Sequence, residues 1–311
     1  MLINISENEY QKKFPENPHL FLSKEFINLN KSKADQILWL VEDSPNPTIG
    51  IVVGLIDSFL YSPFSAPFGG FHFNNELIYI SFINEFIGKM KGFIQENSLK
   101  GISITLPPNI YHETINSKFI NCLFNNDFKI KTIDITSWVD LESYSNRFSH
   151  KSSREYINQA LKNGLHFHLT TQISEKIEAY ELIRMNRLRK DRPIFMSFED
   201  LEKTNDFLKS DYFVVKNKNN EIVASAIIYQ TPNQIAFAVF WGDNEKGRPL
   251  RAMDFCVYNL LNYYKQSGYK YLDIGISTEE GFPNEGLLRF KETHEATSSL
   301  RHTFTWSNEM L

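Results

Sequence analysis

The stretch between Ile235 and Ser277 constrains the fold more than any other part of the chain. The apolar run from Ile235 to Trp241 predicts a strand, and the run from Tyr269 to Gly275 predicts a second one. Between them, apolar residues recur at three- and four-residue spacing from Pro249 to Gln266, which predicts an amphipathic helix. Strand, crossover helix and strand make an α/β unit, and its loop is expected to direct backbone N–H groups at a ligand.

Composition excludes several classes of protein. The chain has 311 residues, a formal net charge of −4 and 42% hydrophobic residues, so it is not a generic polyanion binder. Its two cysteines, Cys122 and Cys256, belong to no metal-like cluster and are expected to be buried thiols, and His166 and His168 have no partner ligands nearby; no metal site is predicted. The N-terminus lacks signal-peptide features, and no apolar run reaches the roughly 20 residues of a membrane helix. We therefore expect a cytoplasmic protein without a membrane span.

The order of predicted elements repeats once along the chain. Strands, a helix and a further strand between Gln36 and Val139 recur in the same order between Asp211 and Trp306. A helical connector from about Asn146 to Gly164 separates the two halves. This self-similarity predicts a duplicated α/β fold, with domains at residues 1–145 and 146–311 and a ligand site in a cleft.

Four segments resemble the FemAB-like aminoacyltransferases, and together they span most of the chain. Phe148–Phe167 is similar to the segment that opens the second domain of that family, and Tyr271–Gly275 to its Asp-apolar-Gly strand end. Gly286–Lys291 resembles the Gly-Leu-x-x-Phe-Lys signature, and Tyr61–Gly70 resembles a proline-glycine strand of related tandem acyltransferases. The resemblance implies two tandem GNAT-like domains, each a mixed, largely antiparallel sheet flanked by helices.

The identity of the donor stays open at this point. The turn from Gly242 to Pro249 lacks the Gly-x-Gly spacing that holds coenzyme A pyrophosphate in simple GNAT enzymes, and Pro249 removes a donor. No long heptad segment predicts the helical arm that some FemAB-like members associate with transfer RNA. The resemblance admits an aminoacyl-tRNA or acyl-CoA donor and a small-molecule or cell-wall-precursor-type acceptor.

Lys291 and Asp273 are the candidate catalytic residues. Acyl transfer to an amine needs a neutral nucleophile and stabilisation of the oxyanion that forms on the carbonyl. Lys291, treated as an exposed lysine, would supply the positive charge; otherwise it is a solvated residue paired with Glu292 or Glu295. Asp273, at a strand end, would orient the amine or act as a base; otherwise its carboxylate accepts a hydrogen bond from a loop N–H.

The candidate binding residues are mostly basic. Lys151 and Arg154 stand one helical turn apart, where they either bind phosphate or carboxylate or form a solvated face of the connector. The run from Arg184 to Arg192 favours an anionic ligand, unless it is a solvated face. The predicted binding residues are Arg289, Phe290, Lys151, Arg154, Arg187, Arg189, Arg248 and Trp241.

These patterns favour an acyltransferase (EC 2.3 type) that moves an aminoacyl or acyl group onto an amine, with its site in the C-terminal half. Two alternatives remain. One is a coenzyme A-dependent N-acyltransferase, which a nucleotide-like ligand near Gly242–Arg251 would support. The other is a non-catalytic binding module, which the missing phosphate loop and the lack of a marked base favour.

Overall fold

The computed structural model describes residues 1–308, which fall into two compact units. Unit 1 comprises residues 1–135, 279–282 and the C-terminal segment from Ser299, and unit 2 comprises residues 136–278 and 283–298. Each unit has a sheet flanked by helices, so the predicted fold class is confirmed. The predicted limits at residues 1–145 and 146–311 stay a prediction.

Unit 1 is built on antiparallel strands and one parallel pair. Its strands pair in the order β1-β2-β3-β4-β6-β15, and β4 and β6 are parallel because α3 crosses between them. The elements up to the end of β7 are β1 (Leu2–Asn4), α1 (Glu7–Lys13), α2 (Lys24–Asn30), β2 (Gln36–Glu42), β3 (Ile49–Ile56), β4 (Phe59–Ser62), β5 (Phe71–Phe73), α3 (Ile80–Glu96), β6 (Gly101–Thr105), α4 (Asn109–Asn125) and β7 (Lys129–Asp140), with 3-10 turns at Leu20–Leu22 and Lys31–Lys33.

Unit 2 repeats this topology. Its strands pair in the order β7-β12-β11-β10-β9-β8, and the parallel pair β11 and β12 is joined by α8. The remaining elements are α5 (Lys151–Lys162), β8 (His166–Thr170), α6 (Ile173–Leu188), α7 (Phe198–Asn205), β9 (Ser210–Lys216), β10 (Ile222–Thr231), β11 (Ile235–Asp243), α8 (Ala252–Gln266), β12 (Tyr271–Ile276), β13 (Thr278–Glu279), β14 (Phe282–Pro283), α9 (Glu285–Glu292) and β15 (Thr297–Ser307), with 3-10 turns at Pro232–Gln234 and Arg248–Leu250.

The two halves differ from the expected duplication in their last strands. The sequence places each last strand with the half that precedes it. In the structure, β15 pairs with β6 of unit 1, where Phe304 lies opposite Ile104, and β7 pairs with β12 of unit 2, where Val139 lies opposite Leu272. Pairing partners of this kind are set by contacts between distant parts of the chain, which strand periodicity does not encode.

The core of unit 2 positions the candidate site. Helix α8 buries Phe255, Cys256, Leu260, Leu261 and Tyr264 against the sheet, as its helical spacing predicts. The helix begins at Ala252, and Pro249 lies in the preceding 3-10 turn rather than at the first helical position. Within residues 1–308, no helix has both the length and the apolarity to cross a bilayer, and no three His, Cys, Asp or Glu side chains are grouped to hold a metal ion.

Candidate active site

Lys291 is buried at the C-terminal end of α9. The residue is only 1% exposed. Its Nζ donates hydrogen bonds to the carbonyl oxygens of Gly275, at 2.7 Å, and Ile276, at 2.9 Å. Desolvation of the ammonium group lowers the pKa of Lys291 to about 7. The expectation of an exposed lysine, and of a solvated pair with Glu292 or Glu295, is therefore wrong. A six-residue helical segment such as Gly286–Lys291 does not reveal in sequence which side faces the interior.

The carbonyls that bind Lys291 lie where two parallel strands stop pairing. The register of β11 with β12 runs from Ile235 opposite Tyr271 to Phe237 opposite Asp273, although β11 continues to Asp243 and β12 to Ile276. Beyond this point most residues of both strands are half-buried, although Ile274 and Gly242 are buried. Lys291 thus supplies a donor to backbone acceptors just past the paired region.

Asp273 shapes the same turn. It is 1% exposed, and its Oδ1 accepts a hydrogen bond of 2.8 Å from the backbone N–H of Gly275. Gly275 has a φ of +68°, a conformation that glycine adopts without a Cβ penalty. The carboxylate also acts on Lys291, whose pKa it raises against the larger, lowering effect of burial. Asp273 therefore accepts a hydrogen bond from a loop N–H, which was the alternative to a catalytic role, and its charge also acts on the ammonium group of Lys291.

Replacement of Asp273 by asparagine tests this electrostatic link. Asp273→Asn removes the negative charge that favours the ammonium form, so the pKa of Lys291 should fall below its value in the wild type. The measurement is the pH titration of the Lys291 ¹³Cε signal by NMR, assigned by its loss in Lys291→Arg. A titration midpoint that stays in place or rises would contradict the predicted coupling.

Residues before and within the first turn of α5 hold the turn that follows Lys291. Ser153 is fully buried, and its Oγ donates to the carbonyl of Thr293 at 2.6 Å. The backbone N–H of Ser149 donates to Oε1 of Glu295 at 2.5 Å, and the Ser149 hydroxyl donates to the same atom. These contacts join the segment 148–167 to the turn that directly follows the segment 286–291.

Lys151 and Arg154 do not share a binding face. Arg154 donates through Nη1 to the carbonyls of Phe148, at 3.1 Å, and Ser149, so its guanidinium caps the loop that leads into α5. The Lys151 side chain is 82% exposed and lies 3.8 Å from Glu155. Lys151 therefore lies on a solvated face of the connector helix, which was the alternative to ligand binding. Arg154 instead holds the backbone of the loop before α5.

The loop before α8 uses its backbone N–H groups internally. Those of Gly247 and Arg248 donate to the carbonyl of Asn244, that of Arg251 donates to Arg248, and those of Leu250 and Ala252 donate to Gly247. The expectation that this loop directs these N–H groups at a ligand is wrong, because the 3-10 turn around Pro249 folds them back on the loop.

Basic side chains gather beside this loop instead. Asn186 is buried and donates to the carbonyl of Asp243 at 2.5 Å, which fixes the end of α6 on the loop. Nε of Arg248 lies 3.5 Å from Oδ1 of Asp243. Lys190 is near enough to interact electrostatically with both. We call the following four residues the basic cluster: Arg187, Lys190, Arg192 and Arg248.

Within the basic cluster, the guanidinium groups of the three arginines act electrostatically on Lys190. Asp243 lies 3.5 Å from Arg248 and favours the charged form of Lys190, whereas desolvation together with the neighbouring guanidinium groups lowers the pKa of Lys190. Arg189, in contrast, pairs with Glu245 at 3.4 Å on the surface, and Arg184 pairs with Glu181. Arg189 thus also contacts the loop before α8, through Glu245, whereas Arg184 pairs within α6.

Two aromatic rings connect the basic cluster with Lys291. The rings of Trp241 and Phe290 meet edge to face, with centroids 6.4 Å apart. Trp241 precedes Asp243 by two residues on β11, which is about 7 Å along a strand. Arg289 is exposed on α9. Lys291, Phe290, Trp241 and the basic cluster thus lie along one stretch of unit 2.

A buried histidine next to Lys291 was not predicted. His294 is 2% exposed, and its Nδ1 lies 2.6 Å from the carbonyl oxygen of Phe290. Its Nε2 lies 3.2 Å from Oδ1 of Asp254 in the first turn of α8. No motif marks either residue in the sequence, because the pair joins positions 40 residues apart.

Comparison with solved structures identifies the fold. The chain superposes on FemX with a TM-score of 0.68 at 12% identity, covering 99% of this chain and 97% of that one. It superposes on L-PGS from Bacillus licheniformis with a TM-score of 0.61 at 15% identity, covering 98% and 93%. A tandem GNAT protein from the clavulanic acid biosynthesis pathway gives 0.57 at 7% identity, covering 99% and 98%.

Sequence comparison adds no relative to this set. No family model and no curated protein matches the chain. The structural matches have low sequence identity, and they extend over nearly the full length of both chains. Together with the repeated topology of the two units, they show that this chain has the fold of FemX and of the tandem GNAT protein.

Proposed function

We propose that this chain is an acyltransferase that moves an aminoacyl or acyl group from an activated donor onto an amine, with Lys291 at the reaction centre. The observation that carries the proposal is the buried ammonium group of Lys291, held by the carbonyls of Gly275 and Ile276. The fold shared with FemX and the tandem GNAT protein is consistent with this chemistry.

The proposed reaction develops negative charge on the carbonyl oxygen, and we assign its stabilisation to the ammonium group of Lys291. The neutral amine attacks the donor carbonyl, a C–N bond forms, and the carbonyl oxygen becomes an oxyanion. The bond to the ester oxygen or thioester sulfur then breaks, and the leaving group takes the proton that the amine loses. A charged ammonium group in a site of low dielectric constant stabilises the oxyanion more strongly than water does.

The basic cluster supports a donor that bears phosphate. Arginine forms forked contacts with phosphate, and three of the four cations are arginines. An aminoacyl-tRNA meets this requirement, with a small-molecule or cell-wall-precursor-type amine as acceptor. The proposed donor-binding residues are Arg187, Lys190, Arg192 and Arg248, with Trp241 and Phe290 beside the acyl group.

Coenzyme A is the less favoured donor. Five backbone N–H groups of the loop before α8 are already bonded within it, so they are not free to hold a pyrophosphate. We expect isothermal calorimetry with acetyl-coenzyme A to give weak or absent binding. A tight complex of one ligand per chain would contradict this prediction and favour the coenzyme A-dependent alternative.

Molecules that stay bound to the purified protein test the proposal. Native mass spectrometry of the wild type, followed by extraction and identification, should recover an ester or thioester donor or an amine acceptor. Lys291→Met, which keeps the basic cluster, should retain the same donor. Recovery of a ligand with neither an acyl group nor an amine would favour the non-catalytic binding module.

A further inference from the structure

The strongest unassigned feature of unit 2 is the contact between His294 and Asp254. His294 follows α9 by two residues, and its backbone N–H donates to the carbonyl of Lys291 at 2.9 Å. Its ring packs against Phe290, with centroids 4.2 Å apart, and against Phe148 at 4.8 Å. The imidazole is thus enclosed by the helix that carries Lys291 and by the segment before α5.

Both ring nitrogens of His294 face oxygen atoms. Nδ1 donates to the Phe290 carbonyl, which has no proton to give. Nε2 then faces Oδ1 of Asp254 at 3.2 Å, at an angle outside hydrogen-bond geometry, so this contact is electrostatic. A bare Nε2 lone pair would be repelled by the carboxylate. The arrangement is favourable when the ring carries both protons and pairs with the Asp254 anion.

Asp254 is well placed to carry the negative charge that pairs with the His294 ring. It lies in the first turn of α8, where the helix dipole favours a negative group, and it is buried at 8% exposure. The pair therefore links the last turn of α9 to the first turn of α8. Separating a buried charge pair is costly because it leaves each charge without a partner. Such a pair therefore holds the two turns in a fixed relative position.

We infer that His294 is a positioning residue, which pairs with Asp254 to fix the turn after α9 and so to hold Lys291 against the carbonyls of Gly275 and Ile276. The inference rests on the proposed role of Lys291, because only a reaction centre at that lysine gives the fixed position a function. It adds two residues, one on the turn after α9 and one on α8, to the groups that define the site.

The test measures the state of Lys291 without any substrate. Asp273 on β12 raises the pKa of the Lys291 ammonium group; the proposed imidazolium of His294 and the carboxylate of Asp254 lie on the neighbouring turn and helix with opposite charges, and Glu295 is bound by Ser149. In His294→Gln, the turn loosens, water reaches the ammonium group and a neighbouring positive charge is removed. All three changes raise the pKa of Lys291, so its NMR titration midpoint should move up by about one pH unit or more.

Asp254→Asn provides the second arm of the test. It removes the partner of His294, so the ring no longer holds the turn, and hydration of the ammonium group should raise the Lys291 midpoint by more than loss of the Asp254 charge lowers it. Since both substitutions break one contact, the double variant should shift the midpoint no further than the larger single shift. His150→Gln, in the exposed start of α5, is the matched control and should leave the midpoint unchanged.

Three results would overturn the inference. They are an unchanged Lys291 midpoint in both single variants, additive shifts in the double variant, or an equal shift in His150→Gln. Circular dichroism confirms that each variant is folded, and if His294→Gln does not fold, Asp254→Asn alone decides by its midpoint. A wild type that titrates as described but transfers no acyl group would refute the proposed function and leave the positioning contact intact.

Discussion

Replacing Lys291 with methionine is expected to lower acyl transfer about 100-fold to 1000-fold, the cost of removing one preorganised oxyanion donor. Methionine keeps the length and apolar volume of the side chain but has no charge. Arginine at the same position should restore only part of the activity, because its planar fork does not reproduce a compact ammonium group held by two carbonyls. The measurement is kcat/KM for each variant once a donor is identified.

The stability of these variants separates the chemical role from a structural one. Lys291→Met loses two hydrogen bonds to carbonyls but no longer buries an ammonium group, so the two effects should offset and leave the melting temperature near that of the wild type. Both variants remove the donor to the carbonyls of Gly275 and Ile276, but only Lys291→Ala also leaves a cavity, so it should be less stable than Lys291→Met by about 2–5 kcal/mol. Activity that survives in Lys291→Met with a lowered melting temperature would make Lys291 a structural residue.

The same lysine predicts a pH dependence with a defined sign. Its pKa is about 7 in the folded chain, against a usual value of 10.5, so between pH 7 and 10.5 the unfolded chain binds more protons than the folded one. Stability should therefore rise with pH in this window in the wild type relative to Lys291→Met. Transfer that needs the charged ammonium should fall as pH rises through about 7.

Reversing two charges of the basic cluster is the second large effect that we expect. Lys190→Glu combined with Arg248→Glu removes two charge-assisted contacts, each contributing about 1.5–3 kcal/mol, from a phosphate-bearing donor. The dissociation constant should rise about 100-fold or more. Fluorescence anisotropy with a labelled aminoacyl-tRNA mixture measures the change, repeated at two salt concentrations because phosphate contacts weaken with salt.

Arg184→Glu is the matched control for this experiment. Arg184 belongs to the same basic run, but its guanidinium pairs with Glu181 one helical turn away. Its reversal changes the net charge in the same direction and should alter the affinity far less than the double variant does. Equal losses in both variants would assign RNA binding to overall charge and would contradict a specific site at the loop before α8.

The sequence predicts the architecture of unit 2 well because local patterns decide it. The strand beginning at Ile235, the buried face of α8 and the strand ending near Gly275 are confirmed, since apolar periodicity records which residues are buried. The same is true of Cys122 and Cys256, which are buried free thiols. Helix α6 before the basic run was not predicted, because its apolar pattern is weak.

The candidate site was harder to predict because contacts between distant residues define it. Nothing near Lys291 in the sequence shows that the carbonyls of Gly275 and Ile276 accept hydrogen bonds from its ammonium group. The side chain was therefore expected to be exposed. Lys190 and Asp254 meet their partners only through the folding of α6, α8 and α9. Arg154 was assigned to a ligand, but the carbonyls of its own loop occupy it. Residue type indicates what a side chain can do, while the fold decides what it does.

A transfer assay tests the central claim most directly. The protein is incubated with two pools of labelled donors, aminoacyl-tRNA and acyl-coenzyme A, and with a mixture of small-molecule and cell-wall-precursor amines. The account predicts that label moves from a base-labile ester or thioester to a base-stable amide with the wild type, and that Lys291→Met loses this activity. Absence of protein-dependent transfer from either pool, or equal transfer by Lys291→Met, would contradict it.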